Sequence, residues 1–96
     1  MQIKYVEKRN GNFEKFDIFK IENAVRRAFK ETGEEENIEV FKELSKGVTE
    51  RLDKLFPSVE DIQDVVEIIL MERGYHKTAK AYIIYREKRS SIRKMK

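Results

Sequence analysis

The sequence predicts an α+β fold: a small bundle of about four helices capped by an N-terminal β-hairpin. Three observations carry that prediction. An Asn10-Gly11 pair stands between alternating stretches near the start, the strongest short-range signal for a hairpin. Behind it run four stretches with apolar residues at helical spacing, bounded by capping or breaking residues. Finally, 96 residues that are 40% hydrophobic and 41% charged, with one Pro and four Gly, suit a single small core. One domain over residues 1–96 follows, with 1–17 as the hairpin cap and 18–96 as the helical bundle.

Two loops close the hairpin on paper. Asn10-Gly11 alone opposes Glu7 to Glu14 and Val6 to Lys15, pairing like charges and an apolar residue with a cation. Asn10-Gly11-Asn12 instead pairs Lys8 with Glu14, Glu7 with Lys15 and Val6 with Phe16. Cross-strand pairs are worth roughly 0.2–1 kcal/mol each, so the longer loop is preferred, with Asn12 taking a left-handed conformation. Val6, Lys8, Glu14 and Phe16 then share one face of the ribbon.

The helices follow in order. Asp17 is a good N-cap for a helix carrying Ile18, Ile21, Ala24, Val25, Ala28 and Phe29, and Gly33 supplies its stop. Asn37 opens a second with Ile38, Phe41, Leu44, Val48, Leu52 and Leu55, weakened by Gly47 and ended by Pro57. Ser58 caps a third, with Asp61 in the capping-box position and Ile62, Val65, Val66, Ile69 and Leu70 on its apolar face. After Gly74 a fourth runs from about Thr78 through Ala79, Tyr82, Ile83, Tyr85, Arg86 and Ile92. Tyr82 and Tyr85 read as core and boundary residues, and His76 as structural or exposed.

Composition removes several chemistries. No cysteine is present, which excludes disulfides, thiolate zinc ligands and cysteine nucleophiles. One histidine, His76, cannot build a His metal cluster or a Ser-His-Asp triad, so no metal site is expected. With no run of about 18 apolar residues and no signal-peptide pattern, the expected location is the cytoplasm, away from membranes. Charge is segregated along the chain: eight Lys/Arg against four Asp/Glu in residues 1–30, four against thirteen in 31–72, and nine against one in 73–96. A fold that sets the hairpin beside the last helix would merge the basic ends into an anion site; otherwise they are solvated faces.

The ribbon face has the parts an adenine nucleotide needs. Val6 and Phe16 offer apolar walls, Glu14 an acceptor for the amino group, and Lys8 with Arg9 a phosphate clamp. The pattern equally fits a charged ribbon packed over helices by Val6 and Phe16.

Across nearly its whole length the chain resembles the ATP-cone domain, the regulatory nucleotide-binding module at the N-terminus of many ribonucleotide reductases, anaerobic ones among them. The resemblance lies in "VEKRNGNFEKFDIFKI", "AVRRAF", "SVEDIQDVVEIILM" and "AKAYIIYREKR". It implies a ribbon over a small helical bundle, with ATP or dATP held between them and not hydrolysed. By the resemblance, Lys8 and Arg9 are phosphate ligands, Glu14 the adenine-recognising carboxylate and Asp17 a second adenine contact. Lys20 and Ile21 border base and sugar. Gln63 stands where some members present His, and Arg86 or Lys88 takes the place of a Lys on the last helix. A further short strand near Leu55–Ser58, completing a three-stranded sheet, is also implied.

The function so implied is allosteric nucleotide sensing by a standalone cone or one excised from a reductase. Its effector is ATP or dATP, with Mg2+ bridging phosphates. Its partner is a reductase catalytic domain or a second copy. Reductase chemistry in this family depends on a cysteine radical, so this segment is expected to be non-catalytic, and no GxxxxGK loop is present. The alternatives are a nucleic-acid-binding regulator of the cone-containing repressor type and an interaction module without nucleotide. The repressors carry a cysteine zinc ribbon ahead of the cone, which disfavours nucleic acid, and the intact Lys8, Arg9, Glu14 and Lys20 set speaks against a lost nucleotide.

Overall fold

The computed structural model describes residues 3–35 and 37–94, with side chains described through Lys88; Ile92, expected in the fourth helical pattern, lies outside those side chains. Strands β1 (Tyr5–Glu7) and β2 (Phe13–Lys15) precede helices α1 (Ile18–Thr32), α2 (Ile38–Arg51), α3 (Val59–Glu72) and α4 (His76–Lys94). The expected α+β architecture is present.

The ribbon closes differently from either loop considered above. Its antiparallel register is Tyr5 to Lys15, Val6 to Glu14 and Glu7 to Phe13. Lys8 N–H donates to the Asn12 carbonyl at 2.7 Å, and Gly11 N–H donates to the Lys8 carbonyl at 2.9 Å. The loop is therefore Arg9-Asn10-Gly11, with Gly11 rather than Asn12 in the left-handed region at φ 86°. Glycine takes that conformation without a Cβ clash, so it claims the position. The Asn10 side chain steadies the turn by accepting from Asn12 N–H at 3.0 Å. The register is two residues from the expected one. A slip of two preserves the alternation of a strand, so Val6, Lys8, Glu14 and Phe16 still share a face; a slip of one would have scattered them.

The implied third strand is reduced to a single parallel bridge between Glu7 and Ser58. Glu7 N–H donates to the Pro57 carbonyl at 2.9 Å there. On the outer face of the ribbon, Tyr5 and Phe13 pack on Phe56 with ring centroids 6.3 and 6.1 Å apart.

Local chemistry sets most helix ends. Asp17 accepts from Phe19 N–H at 3.0 Å and Asn37 from Glu39 N–H at 2.9 Å. Ser58 and Asp61 form a reciprocal capping box, each bond 3.0 Å. Gly33 closes α1 in the left-handed conformation. Two ends depart from expectation. Helix α2 stops at Arg51, before Pro57, because the extended Leu52 turns its side chain into the core. Leu55, expected on the apolar face, is consequently exposed. Helix α4 starts at His76, because Glu34 caps it from outside, accepting from Thr78 N–H and Oγ1 at 2.7 Å each.

Helices α1 and α3 each pack against both α2 and α4. Phe29, Leu44, Leu70, Val25, Val48 and Val66 fill the centre. Ile3 and Val6 are also buried, so the ribbon is joined to the bundle by apolar contact rather than by hydrogen bonds alone.

Candidate functional site

The inner face of the ribbon, the first turns of α1, helix α3 and Tyr82 of α4 enclose a cavity of about 400 Å³. That volume lies in the range of small-molecule and cofactor pockets. Each wall follows from its element. Alternation in β1 and β2 directs Val6, Lys8, Glu14 and Phe16 inward, and the loop adds Arg9. Asp17, Lys20, Ile21 and Ala24 present one side of α1 at helical spacing. Val59, Ile62, Gln63 and Val66 do the same for α3.

Both ribbon and helices supply polar and apolar groups: Lys8, Arg9 and Glu14 beside Val6 and Phe16 from the ribbon, and Asp17, Lys20 and Gln63 beside Ile21, Ile62 and Val66 from the helices. Glu14 accepts from Lys20 Nζ at 2.9 Å and lies 3.9 Å from Lys8 Nζ. The Lys20 hydrogen bond, aided by the charges of Lys20 and Lys8, holds the Glu14 carboxyl below its ordinary range. It is thus ionised near neutral pH and acts as an acceptor. Arg9 Nε pairs with Glu60 in the first turn of α3. Asp17 lines the cavity while one of its oxygens accepts from the Phe19 N–H. The Gln63 side-chain carbonyl is buried without a hydrogen-bond partner among the described residues. A buried amide oxygen of this kind favours a donor from a ligand or water. Burial pushes the Tyr82 phenol up, so this wall stays neutral.

Nine of the residues singled out from the sequence meet at this cavity: Val6, Lys8, Arg9, Glu14, Phe16, Asp17, Lys20, Ile21 and Gln63. Two do not. Arg86 turns back onto α3, donating to Asp64 at 2.7 Å and Glu67 at 2.8 Å. Lys88 lines a separate groove between α1 and α4, with Arg27, Lys30 and Tyr85. On a helix these positions lie beyond the turn that bears Tyr82, and the carboxylates of α3 claim the guanidinium first. Sequence reasoning missed Lys15, Ala24, Val59, Ile62, Val66 and Tyr82 as lining residues. Helical spacing marks Ala24, Ile62, Val66 and Tyr82 as core residues rather than lining ones, and Lys20 is marked by the family resemblance alone.

The family model for the ATP cone domain matches residues 4–91, most of the chain. The chain belongs to the ATP-cone family. Over 91 residues this cone is 40% identical to the vitamin B12-dependent ribonucleoside-diphosphate reductase of Mycobacterium tuberculosis, covering 95% of the chain and 13% of that relative. It is 41% identical over 100 residues to the reductase of the same description from Thermoplasma acidophilum, covering 98% of the chain and 13% of the relative. The ribonucleoside-diphosphate reductase subunit alpha of Chlamydia trachomatis is 32% identical over 100 residues, with 92% of the chain and 10% of the relative covered. The cone thus spans a small fraction of these relatives' length. Among the described residues, no helix is long and apolar enough to cross a membrane, and no group of three or more His, Cys, Asp or Glu is placed to hold a metal ion.

Proposed function

We propose that this cone binds ATP or dATP reversibly beneath the ribbon and passes occupancy on as an allosteric signal to a reductase body. The cavity carries the reading: it joins apolar walls, the carboxylates of Glu14 and Asp17 and the cations Lys8, Arg9, Lys15 and Lys20. In this reading Glu14 takes the adenine amino group, exchanging Lys20 for it. Lys8 and Arg9 meet the phosphates, whose charge Mg2+ would help to offset, Lys20 and Ile21 border base and sugar, and Val6 and Phe16 wall the base. Asp17 adds a second base contact and Gln63 a sugar or phosphate contact. Guanine presents a carbonyl where adenine presents the amino group, and an ionised Glu14 repels it. Coupling of about 1–3 kcal/mol suffices for regulation, with no chemistry at the site. The matched relatives are named as reductases, which favours this reading over a DNA-binding one.

Calorimetric titration of the chain with ATP, dATP, ADP and GTP tests it. Adenine nucleotides are expected to bind at least about tenfold more tightly than GTP, and Glu14→Gln to narrow that gap. Equal affinity for ATP and GTP would remove Glu14 as base reader. Steady formation of ADP by the pure chain would replace the sensor with an enzyme.

A further inference from the structure

We infer that Glu60 is a built-in competitor for the nucleotide phosphates, holding Arg9 until a sufficiently charged ligand takes it. The inference rests on the nucleotide reading above and concerns a residue outside that cavity's lining. Arg9 stands at a partition. It borders the cavity beneath the ribbon and also a second hollow of about 460 Å³ bounded by Glu60, Glu67, Ile83, Arg86 and Glu87. Its guanidinium is paired through Nε with Glu60, which borders the second hollow and not the cavity. Of the other acids nearby, Glu67 and Asp64 hold Arg86 and Glu14 holds Lys20, while Glu87 borders the second hollow.

A carboxylate and a phosphate oxygen seek the same guanidinium donors, and each repels the other. A ligand that recruits Arg9 must draw it from Glu60 or tolerate that carboxylate beside its phosphates. Adenosine, which brings no charge, leaves the pair untouched. Glu60 therefore acts on the phosphate half of the ligand alone and lowers affinity for it. The pair is partly exposed, 27% for the Arg9 side chain and 42% for Glu60, so its strength is that of a surface ion pair. The pair also joins the hairpin loop to the first turn of α3, beside the Glu7–Ser58 bridge.

Calorimetric titration of the whole chain with ATP and with adenosine, in wild type, Glu60→Gln, Arg9→Ala and the double variant, tests the idea. Circular dichroism checks that each variant is folded, and Glu60→Ala provides a second charge-removing variant. Glu60→Gln is expected to bind ATP roughly two- to fivefold more tightly than wild type, with adenosine unchanged. The gain should vanish in the Arg9→Ala background. Unchanged or weaker ATP binding in Glu60→Gln overturns the competitor role, as does a gain that persists without Arg9. Failure of the wild type to bind ATP at all overturns the nucleotide reading itself, and this inference with it.

Discussion

At the C-terminal end of α1, the Glu34 carboxylate accepts from the backbone N–H and the hydroxyl of Thr78, both at 2.7 Å. Beside the N-terminal end, the Glu14 carboxylate accepts from Lys20 Nζ at 2.9 Å. Both acids are held below their ordinary range, yet their donors differ. Thr78 is fully buried and bonded again to Thr32 at 2.8 Å, so its donors are fixed in place. The Lys20 side chain is 64% exposed and sits on a flexible stem. An unsatisfied buried donor costs about 1–3 kcal/mol, whereas an exposed ion pair contributes about 0–1. One end of α1 is therefore anchored, and the other is exchangeable, as a ligand site requires.

The strongest way to break this contrast lies in the core beside the anchored end. Phe29 is fully buried, with Tyr75 edge-on at 4.9 Å and Phe41 at 5.2 Å. Phe29→Ala is expected to lower unfolding free energy by about 3–5 kcal/mol in denaturant titrations. A loss under about 1 kcal/mol would show that stability resides elsewhere.

At the exchangeable end the expected effects fall on binding instead. Lys8→Ala should weaken ATP about ten- to a hundredfold, since a charged hydrogen bond is worth about 1.5–3 kcal/mol. Adenosine affinity and the unfolding midpoint should hardly move. A large drop in the midpoint would make Lys8 structural and dissolve the contrast.

Thr78→Val sharpens it from the other side. The change keeps the shape but removes the hydroxyl shared by Glu34 and Thr32. Stability should fall by about 1–2 kcal/mol with ATP affinity preserved, read by denaturant titration and calorimetry together.

Acid titration gives the smallest expected signal. Glu34 lies below 4.5 chiefly through the Thr78 hydroxyl, and Glu14 chiefly through Lys20. A carboxyl with a lowered folded-state pKa binds fewer protons folded than unfolded, so stability rises with pH across that window. Its contribution is complete above the ordinary value near 4.5 and is lost as pH falls through the folded value. Melting temperatures should stay level from neutral pH to about 5 and then decline. The decline should be shallower in Glu34→Gln. An identical decline in that variant would deny Glu34 its anchoring role.

What the sequence determined by itself is short in range. Asp17 with Phe19, Asn37 with Glu39 and Ser58 with Asp61 lie within three residues of each other, so the caps were legible from local chemistry. The inward face of the ribbon was legible too, because strand alternation survives a two-residue change of register. The register itself was not, since the left-handed demand of the turn outweighed the pairing of Lys8 with Glu14. The early end of α2 waited on the burial of Leu52, and the start of α4 on Glu34, 44 positions from Thr78. Tertiary structure alone decided that Arg9 meets Glu60, that Arg86 meets Asp64 and Glu67, and that Tyr82 rather than Arg86 or Lys88 faces the cavity. A helical pattern tells which residues share a face, and the helix that face meets is set only when the bundle closes.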